Sequence, residues 1–164
     1  RAAAGTMVLL IRRAQALMEA AGDDGDFDAL CQQLHRYQAT LRTCFTLENF
    51  DNLIKNGRMR PIVGTLLRSL GIHIIADATA EGTIHVADKA RGVGKTYRAI
   101  TALMKASKDC TDAEVVISHC ENLEGAMALK RQILADLPVK QVDLLSCRGL
   151  TSFYAMEKGL IVGY

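Results

Sequence analysis

The stretch that decides the fold is residues 46–59, which read TLENFDNLIKNGRM. Its apolar residues recur at helical spacing, and Thr46 is of the type that caps a helix by accepting backbone N–H groups of the first turn. Gly57 then supplies the left-handed conformation that ends many helices. The pattern therefore predicts a capped helix whose end delivers Arg58 next to the apolar segment that follows.

A predicted hairpin follows this stretch in the sequence. Residues 61–70 are apolar with small residues interspersed, which lets another surface approach closely. The segments Ile72–Ala76 and Thr83–Asp88, separated by a turn, predict two antiparallel strands. His73 and His85 could face each other in this hairpin, but a metal site would need a third ligand and none is evident. We therefore expect two sheet histidines without a metal.

A glycine-rich loop, GVGKT at residues 92–96, invites comparison with a nucleotide-binding P-loop. However, Lys89 stands where the first glycine of that pattern belongs, and a lysine cannot make the tight turn that wraps backbone amides around phosphates. The loop instead predicts the start of a helix. The N-terminus of that helix, beside Lys89, Arg91 and Lys95, could hold an anion loosely. A P-loop-like nucleotide-binding enzyme fragment remains the alternative function for this segment.

A βαβ unit is predicted in the second half of the chain. A buried strand at Glu114–Ser118, a helix at Glu121–Leu137 and a strand at Val139–Ser146 should give a parallel pair with a right-handed crossover. His119 follows the carboxyl end of the first strand, where open α/β sheets present ligands. Fixing the strand–helix turn by a hydrogen bond is the commoner role of such a histidine. Cys120 beside it has no evident base to activate it as a nucleophile.

Two amphipathic helices are predicted ahead of this region, at Met7–Ala21 and from Phe27 to Leu41 after a cap at Asp26. The chain has 164 residues, of which 23% are charged and 49% apolar, and its net charge is +2. Nothing in this balance demands nucleic acid or an anionic membrane. The longest apolar run, Met7–Ile11, is far too short to span a bilayer. Five scattered cysteines favour reduced thiols and a cytoplasmic location over a disulfide scaffold.

Together these motifs resemble the DegV family of bacterial fatty-acid-binding proteins. The similarity lies in Phe45-Thr46-Leu47, Asn56-Gly57-Arg58-Met59 and Lys89-Ala90-Arg91-Gly92, and it continues through Ile117-Ser118-His119 to a final strand at Leu160–Tyr164. It covers essentially the whole chain, but only the C-terminal part of the family. The resemblance implies an α/β fold: a two-layer mixed β-sheet with helices mainly on one face, preceded by two helices.

The domain organisation follows from the same resemblance. Arg1–Gly5 reads like the interior of a protein and fits the small-residue stretch that precedes the long helix leaving the family's first domain. We therefore expect residues 1–43 to be a helical lead-in from a missing N-terminal domain. Residues 44–164 are expected to form the lipid-binding C-terminal domain.

The resemblance implies a non-catalytic carrier that binds a long-chain fatty acid and presents it to a fatty acid kinase, with no cofactor beyond that ligand. In most of the family a histidine approaches the lipid head group where Phe153 stands here, and a phenyl ring cannot donate a hydrogen bond to a carboxylate. Neighbouring groups are expected to take that role. The expected head-group contacts are Arg58, Arg148, Thr151, Ser152 and Tyr154; the expected pocket lining is Ile62, Leu66, Leu67, Leu70, Ile74 and Phe153; secondary contacts are His119 and Arg91.

A second alternative is a structural or interaction domain that binds no ligand. In that case the apolar segments would be ordinary core, since their composition alone does not distinguish a channel wall from packed interior. An elongated cavity beside Arg58 separates the two possibilities.

Overall fold

The computed structural model describes residues 3–23, 25–59, 71–79 and 83–164, which form a mixed six-stranded sheet flanked by helices. The strands are β1 (Thr43–Leu47), β2 (Ile72–Ala78), β3 (Ile84–Arg91), β4 (Glu114–His119), β5 (Gln141–Ser146) and β6 (Leu160–Gly163). The helices of the described ranges are α1 (Gly5–Ala21), α2 (Phe27–Thr40), α3 (Asp51–Lys55), α4 (Val93–Ser107), α5 (Leu123–Asp136) and α6 (Gly149–Ala155).

The strand order is β3-β2-β1-β6-β4-β5. β4 and β5 pair in parallel and are connected by α5, so the predicted βαβ unit is confirmed. The other neighbouring pairs are antiparallel, including the β2–β3 hairpin. The prediction of an α/β fold built on a mixed sheet is thus confirmed.

One side of the sheet, here called the filled face, is covered by α4 and α5. Ile100 and Met104 of α4 and Leu129 and Ile133 of α5 have no exposed surface. Since side chains alternate between the two faces of a strand, these helices pack onto every second strand residue. The strand residues in this core are Cys44, Ile75, Val115, Ile117, Val142, Leu160 and Val162.

The opposite side, here called the open face, carries α3, α6 and the start of α1 among the described residues. α3 and α6 have five and seven residues, against 15 and 14 for α4 and α5. They pack in a second apolar cluster with Phe45 and Leu47 of β1 and Ile74 of β2. This side contains the cavity described below.

The first turn of α1 is pressed directly against β4 and β6 on the open face. A Cβ added at Gly5 would lie 2.5 Å from the carbonyl oxygen of Val116, and one added at Gly163 would collide with the backbone nitrogen of Thr6. Two glycines therefore allow helix and sheet backbones to touch. Leu9, one turn further on, is 1% exposed.

The prediction of a helix over residues 46–59 is wrong at its start. Thr46 and Leu47 belong to β1, which is paired with β2 on one side and β6 on the other. α3 begins only at Asp51 and has no side-chain cap. Hydrogen bonding on both edges of a strand outweighs the weak local preference for a helix, so Thr46 is a strand residue rather than a cap.

The hairpin forms as predicted, but its histidines do not face each other. His73 is opposite Ala90, and His85 is opposite Asp77, with a register shift between Ile75 and Ala76 of β2. The Nδ1 atom of His85 lies 3.0 Å from Asp77 Oδ1. The possible pairing of the two histidines across the hairpin is therefore not observed.

The helices α1 and α2 form where predicted, and the side chain of Asp26 caps α2 by accepting two backbone N–H groups. Part of their apolar stripe is exposed, because Met7, Ile11 and Met18 are 42%, 59% and 64% exposed and Phe27 is 74% exposed. Across the residues that the structure describes, none of the helices combines the length and apolar character needed to cross a membrane.

Candidate functional site

A cavity of about 390 Å³ opens on the open face. Its floor is the sheet, with Phe45 and Leu47 from β1, Ile84 from β3 and Ile161 from β6. Its walls come from the start of α1 and from the two short helices. The other lining residues are Ala3, Ala4, Thr43, Leu53, Arg58, Ala78, Leu150, Thr151, Tyr154 and Ala155.

The C-terminal turn of α3 positions Arg58 at this cavity. Gly57 has φ 67°, its N–H donates to Ile54 O at 3.0 Å, and the N–H of Arg58 donates to Leu53 O at 2.8 Å. These two hydrogen bonds form the Schellman arrangement, which satisfies the last carbonyls of a helix. The predicted left-handed stop at Gly57 is confirmed, and it fixes the backbone from which Arg58 projects.

The guanidinium of Arg58 stacks on the ring of Tyr154, with its carbon 5.2 Å from the ring centroid. Tyr154 in turn meets Phe153 edge-on, with 5.1 Å between ring centroids. The side-chain amide of Asn52 donates to Phe153 O at 2.6 Å and ties α3 to α6. A cation–π contact holds a guanidinium in place while leaving its N–H donors free for an anion.

The polar groups of the cavity wall are one guanidinium and a few hydroxyl groups. Arg58, Thr43, Thr151 and Tyr154 supply them, and the described wall contains no histidine, carboxylate or thiol. Guanidinium and hydroxyl groups are hydrogen-bond donors. The arrangement provides such donors for a single anionic group at the end of an apolar space.

Nearby thiols are poor nucleophiles. Burial raises the pKa of Cys147 from 9.0 to about 11, and burial also raises the pKa of Cys120. Both thiols are therefore protonated at neutral pH, whereas the thiolate is the reactive form. In the described ranges, no cluster of three or more His, Cys, Asp or Glu side chains is placed to hold a metal ion.

The structure brings some of the expected site residues together and leaves others apart. Arg58, Thr151 and Tyr154 share the cavity wall. Arg148 is exposed just before α6, and Ser152 lies on α6 outside the wall. Of the expected lining residues, Ile74 is instead fully buried in the second apolar cluster, and Phe153 is 46% exposed. The other expected lining residues lie outside the described residues: Ile62, Leu66, Leu67 and Leu70.

The two secondary candidates lie away from the cavity. His119 is 7% exposed, and its Nδ1 accepts a hydrogen bond from the N–H of Asn122 at 3.4 Å, which is the turn-fixing role considered above. Arg91 is the exposed last residue of β3. Neither residue is part of the described cavity wall.

The residues that sequence reasoning missed are mostly strand residues of the floor. Phe45 and Leu47 are separated by one residue, so they project to the same side of β1. This alternation could have predicted a strand at Phe45–Leu47, but residues 46–59 were interpreted as a helix. Ile161 and Ile84 reach the same floor from distant parts of the chain, which no local pattern reveals.

The glycine-rich loop at residues 92–96 is used to start α4. Thr96 is 1% exposed, and its hydroxyl donates to Gly92 O at 3.0 Å within the same turn. In a P-loop the equivalent hydroxyl binds Mg²⁺ and must face the nucleotide. The hydroxyl of Thr96 is committed to the helix instead, which argues against the nucleotide-binding alternative.

A family profile described as an uncharacterised protein of the DegV family matches residues 2–160. The chain belongs to the DegV family. A DegV domain-containing protein of Streptococcus pneumoniae (strain ATCC BAA-255 / R6) is 32% identical over 164 residues, a match that covers 99% of this chain and 56% of that relative. This chain therefore spans little more than half the length of such DegV relatives.

Solved DegV structures share the fold. The Streptococcus pneumoniae Fatty Acid Kinase (Fak) B3 protein loaded with linoleic acid superposes with a TM-score of 0.88 at 30% identity, covering 99% of this chain and 57% of that one. A DegV family protein from Eubacterium eligens loaded with heptadecanoic acid gives a TM-score of 0.89 at 24% identity, with the same coverage of 99% and 57%, and supports the fold alone. The resemblance inferred from the motifs is confirmed.

Proposed function

We propose that this chain is the lipid-binding part of a fatty acid carrier, with the acyl tail lying in the cavity of the open face. The observation that carries this proposal is the apolar floor of β1, β3 and β6 with one stacked guanidinium at its rim. A fatty acid has that same distribution of chemistry, a long apolar chain ending in one carboxylate. The solved relative at 30% identity that is loaded with linoleic acid supports the same assignment.

In this proposal the tail supplies most of the affinity. Each buried methylene contributes about 0.8 kcal/mol, whereas a charge-assisted hydrogen bond contributes about 1.5–3 kcal/mol. The head-group donors therefore select a carboxylate and set the direction of the chain. We assign that role to Arg58, with the hydroxyls of Thr151 and Tyr154 beside it.

Arg148 and Ser152 stay in the proposal as contacts at the rim. Arg148 is exposed next to Leu150, which lines the cavity and is itself 71% exposed. These side chains reach a head group that extends beyond the described wall. Phe153 then shields Tyr154 through their edge-on contact rather than bonding the carboxylate.

The proposed partners are a fatty acid, a fatty acid kinase and the remainder of a longer DegV protein. We propose residues 1–43 as the lead-in from an N-terminal domain and residues 44–164 as the lipid-binding domain. The kinase assignment is supported by the description of the pneumococcal relative as a fatty acid kinase B3 protein. The described cavity wall offers a guanidinium and hydroxyls as donors, which supports a carrier that holds the carboxylate for the kinase. Free thiols at all five cysteines support a cytoplasmic location.

Direct binding tests the proposal. The chain is stripped of lipid, titrated with oleate by calorimetry, and compared with Arg58→Gln and with the surface control Arg36→Gln. Loss of one charge-assisted hydrogen bond predicts roughly ten- to hundredfold weaker binding for Arg58→Gln and no change for Arg36→Gln. If neither the chain nor the intact protein purified from cells carries or binds an acyl lipid, the carrier proposal is wrong.

A second measurement tests the kinase role. Intact carrier loaded with oleate is mixed with a fatty acid kinase and ATP, and acyl phosphate is measured. Loaded carrier should support formation of acyl phosphate, and the carrier without the kinase should not. Formation of acyl phosphate by the carrier alone would contradict the non-catalytic assignment.

A further inference from the structure

Two cysteines meet at the carboxyl ends of the parallel strands β4 and β5. The last register pair of these strands is His119 and Ser146. Cys120 and Cys147 are the next residues of the two strands, and the N–H of Cys147 continues the ladder by donating to His119 O at 2.7 Å. The register therefore places the two cysteines side by side.

Both cysteine side chains lie on the open face. Residues in register on neighbouring strands project to the same side of a sheet, and both thiols pack against the second apolar cluster. After burial, Cys120 is the second cause of the raised pKa of Cys147, as expected for like charges in close proximity. Each thiol is partly exposed, so a dissolved oxidant can reach it.

The spacing of the two backbones suits a disulfide. Neighbouring strands lie about 4.7–4.9 Å apart, and bridged cysteines have Cα atoms about 4.4–6.8 Å apart. Rotation about the Cα–Cβ bonds directs the two sulfur atoms toward each other. Both residues end their strands, since the chain turns at Glu121 with φ 49° and Arg148 already caps α6. The ends of the ladder can therefore adjust to a crosslink.

The other three cysteines are placed differently. Cys44 and Cys110 belong to the core of the filled face and are 0% and 4% exposed, so a dissolved oxidant does not reach them. Cys31 is partly exposed, but it lies on α2, which carries no second cysteine. Among the five thiols, only Cys120 and Cys147 combine exposure with a neighbouring thiol on the same face of the sheet.

We propose that Cys120 and Cys147 form a reversible disulfide, with a low-molecular-weight disulfide such as oxidised glutathione as the oxidant. One protein thiolate attacks a glutathione sulfur, forms a mixed disulfide and releases one glutathione thiolate. The other protein thiolate attacks the protein sulfur of that mixed disulfide and releases the second glutathione thiolate. The two protein thiols thus lose two electrons and two protons, which convert one glutathione disulfide into two glutathione thiols.

The crosslink joins the end of β4 to the residue before the cap of α6. Leu150, Thr151 and Tyr154 of α6 line the cavity of the open face, so the disulfide fixes the start of the helix that forms this wall. Because both thiols are protonated at neutral pH, exchange is slow. The crosslink therefore responds to a sustained change of redox conditions and not to a brief pulse.

Equilibration in glutathione buffers tests the proposal without any lipid, so its outcome is independent of that of the carrier proposal. The chain is incubated without oxygen in mixtures of reduced and oxidised glutathione, quenched with acid, alkylated in urea and digested. In oxidising mixtures three of the five cysteines should be alkylated, and peptides joined through Cys120 and Cys147 should appear. Excess dithiothreitol should restore all five thiols. Absence of this crosslink in every mixture, or glutathione adducts alone, would overturn the proposal.

Single serine substitutions are the matched controls. Cys120→Ser and Cys147→Ser should each abolish the crosslink and leave a glutathione adduct on the remaining thiol, whereas Cys31→Ser should form the crosslink as the parent does. The crosslinked parent should unfold at least about 3 °C above the reduced parent, because a closed loop restricts the unfolded chain. Unfolding at the same or a lower temperature would show that the native ends of β4 and β5 do not accept the crosslink, and would overturn the proposal.

Discussion

The two faces of this sheet are built from the same strands and end up with different interiors. On the filled face, α4 and α5 bring apolar side chains onto alternate strand residues, and Ile100, Met104, Leu129 and Ile133 have no exposed surface. On the open face, the intervening residues of the same strands meet α3, α6 and the start of α1 among the described residues and border an apolar cavity. The difference shows that strand alternation specifies only which side chains share a face. How closely the covering helices pack on that face decides whether its side chains form core or line a cavity.

The largest expected effect is a difference in unfolding free energy between substitutions on the two faces. Ile117→Ala removes a side chain with no exposed surface from the filled face and should lower the free energy of unfolding by about 2–5 kcal/mol. Ile161→Ala, on the open face, borders an existing cavity and should cost roughly 1–2 kcal/mol, since fewer contacts are lost. Urea unfolding of both variants measures the two values. Equal losses would contradict the distinction between a packed face and a hollow one.

A bulky residue in the cavity of the open face tests whether an acyl chain binds there. Ala78→Phe adds an aromatic ring at an exposed position of the cavity wall and should weaken oleate binding about tenfold, or 1.4 kcal/mol, by occupying space. Ala102→Phe, at an exposed position of α4, is the matched control and should bind oleate normally. Unimpaired binding by Ala78→Phe would place the acyl chain somewhere other than this cavity.

Alkaline pH probes the thiol of the open face. Burial raises the folded-state pKa of Cys147 from 9.0 to about 11, so its contribution to stability is complete below pH 9 and is lost as the pH rises through about 11. Replacing Cys147 by Ala should flatten the fall in unfolding free energy over that window. The test is urea unfolding at a series of pH values, and an identical slope in parent and variant would contradict it.

The smallest expected effect concerns the exposed ion pair that links α1 to the far edge of the sheet. Arg12 Nη1 lies 2.6 Å from Asp143 Oδ2 on β5, and both side chains are more than a third exposed. Arg12→Ala should therefore cost only about 0.2–1 kcal/mol, and less in high salt, because solvent screens exposed pairs. Thermal unfolding at low and high salt checks this value. A loss comparable to that of Ile117→Ala would mean that this contact anchors α1.

Much of the fold could be predicted from local sequence because its units are local. The β2–β3 hairpin, the βαβ unit and the stop at Gly57 each depend on residues close together in the chain. The error at Thr46 has a physical cause, because β1 is made a strand by pairing with segments about 30 and about 117 residues away along the chain. Insertion of β6 between β1 and β4 is likewise a long-range event that no short window contains.

The candidate site was harder to predict than the fold. Arg58, Thr151 and Tyr154 could be named because loops and helix ends carry polar residues that the family resemblance highlights. The floor could not be named, because Phe45, Ile84 and Ile161 look like ordinary core residues in the sequence. The same kinds of apolar side chain fill a protein core and line a cavity. Only the three-dimensional arrangement distinguishes the two cases.

The contact between Gly5 and Gly163 bears on how the cavity of the open face is shaped. Because the two backbones touch there, a side chain at either position would require α1 to lie farther from the sheet. Ala3 and Ala4, which line the cavity, come directly before this contact, so their position depends on two missing Cβ atoms. The opposite wall is joined differently, by the hydrogen bond from the Asn52 side chain to Phe153 O.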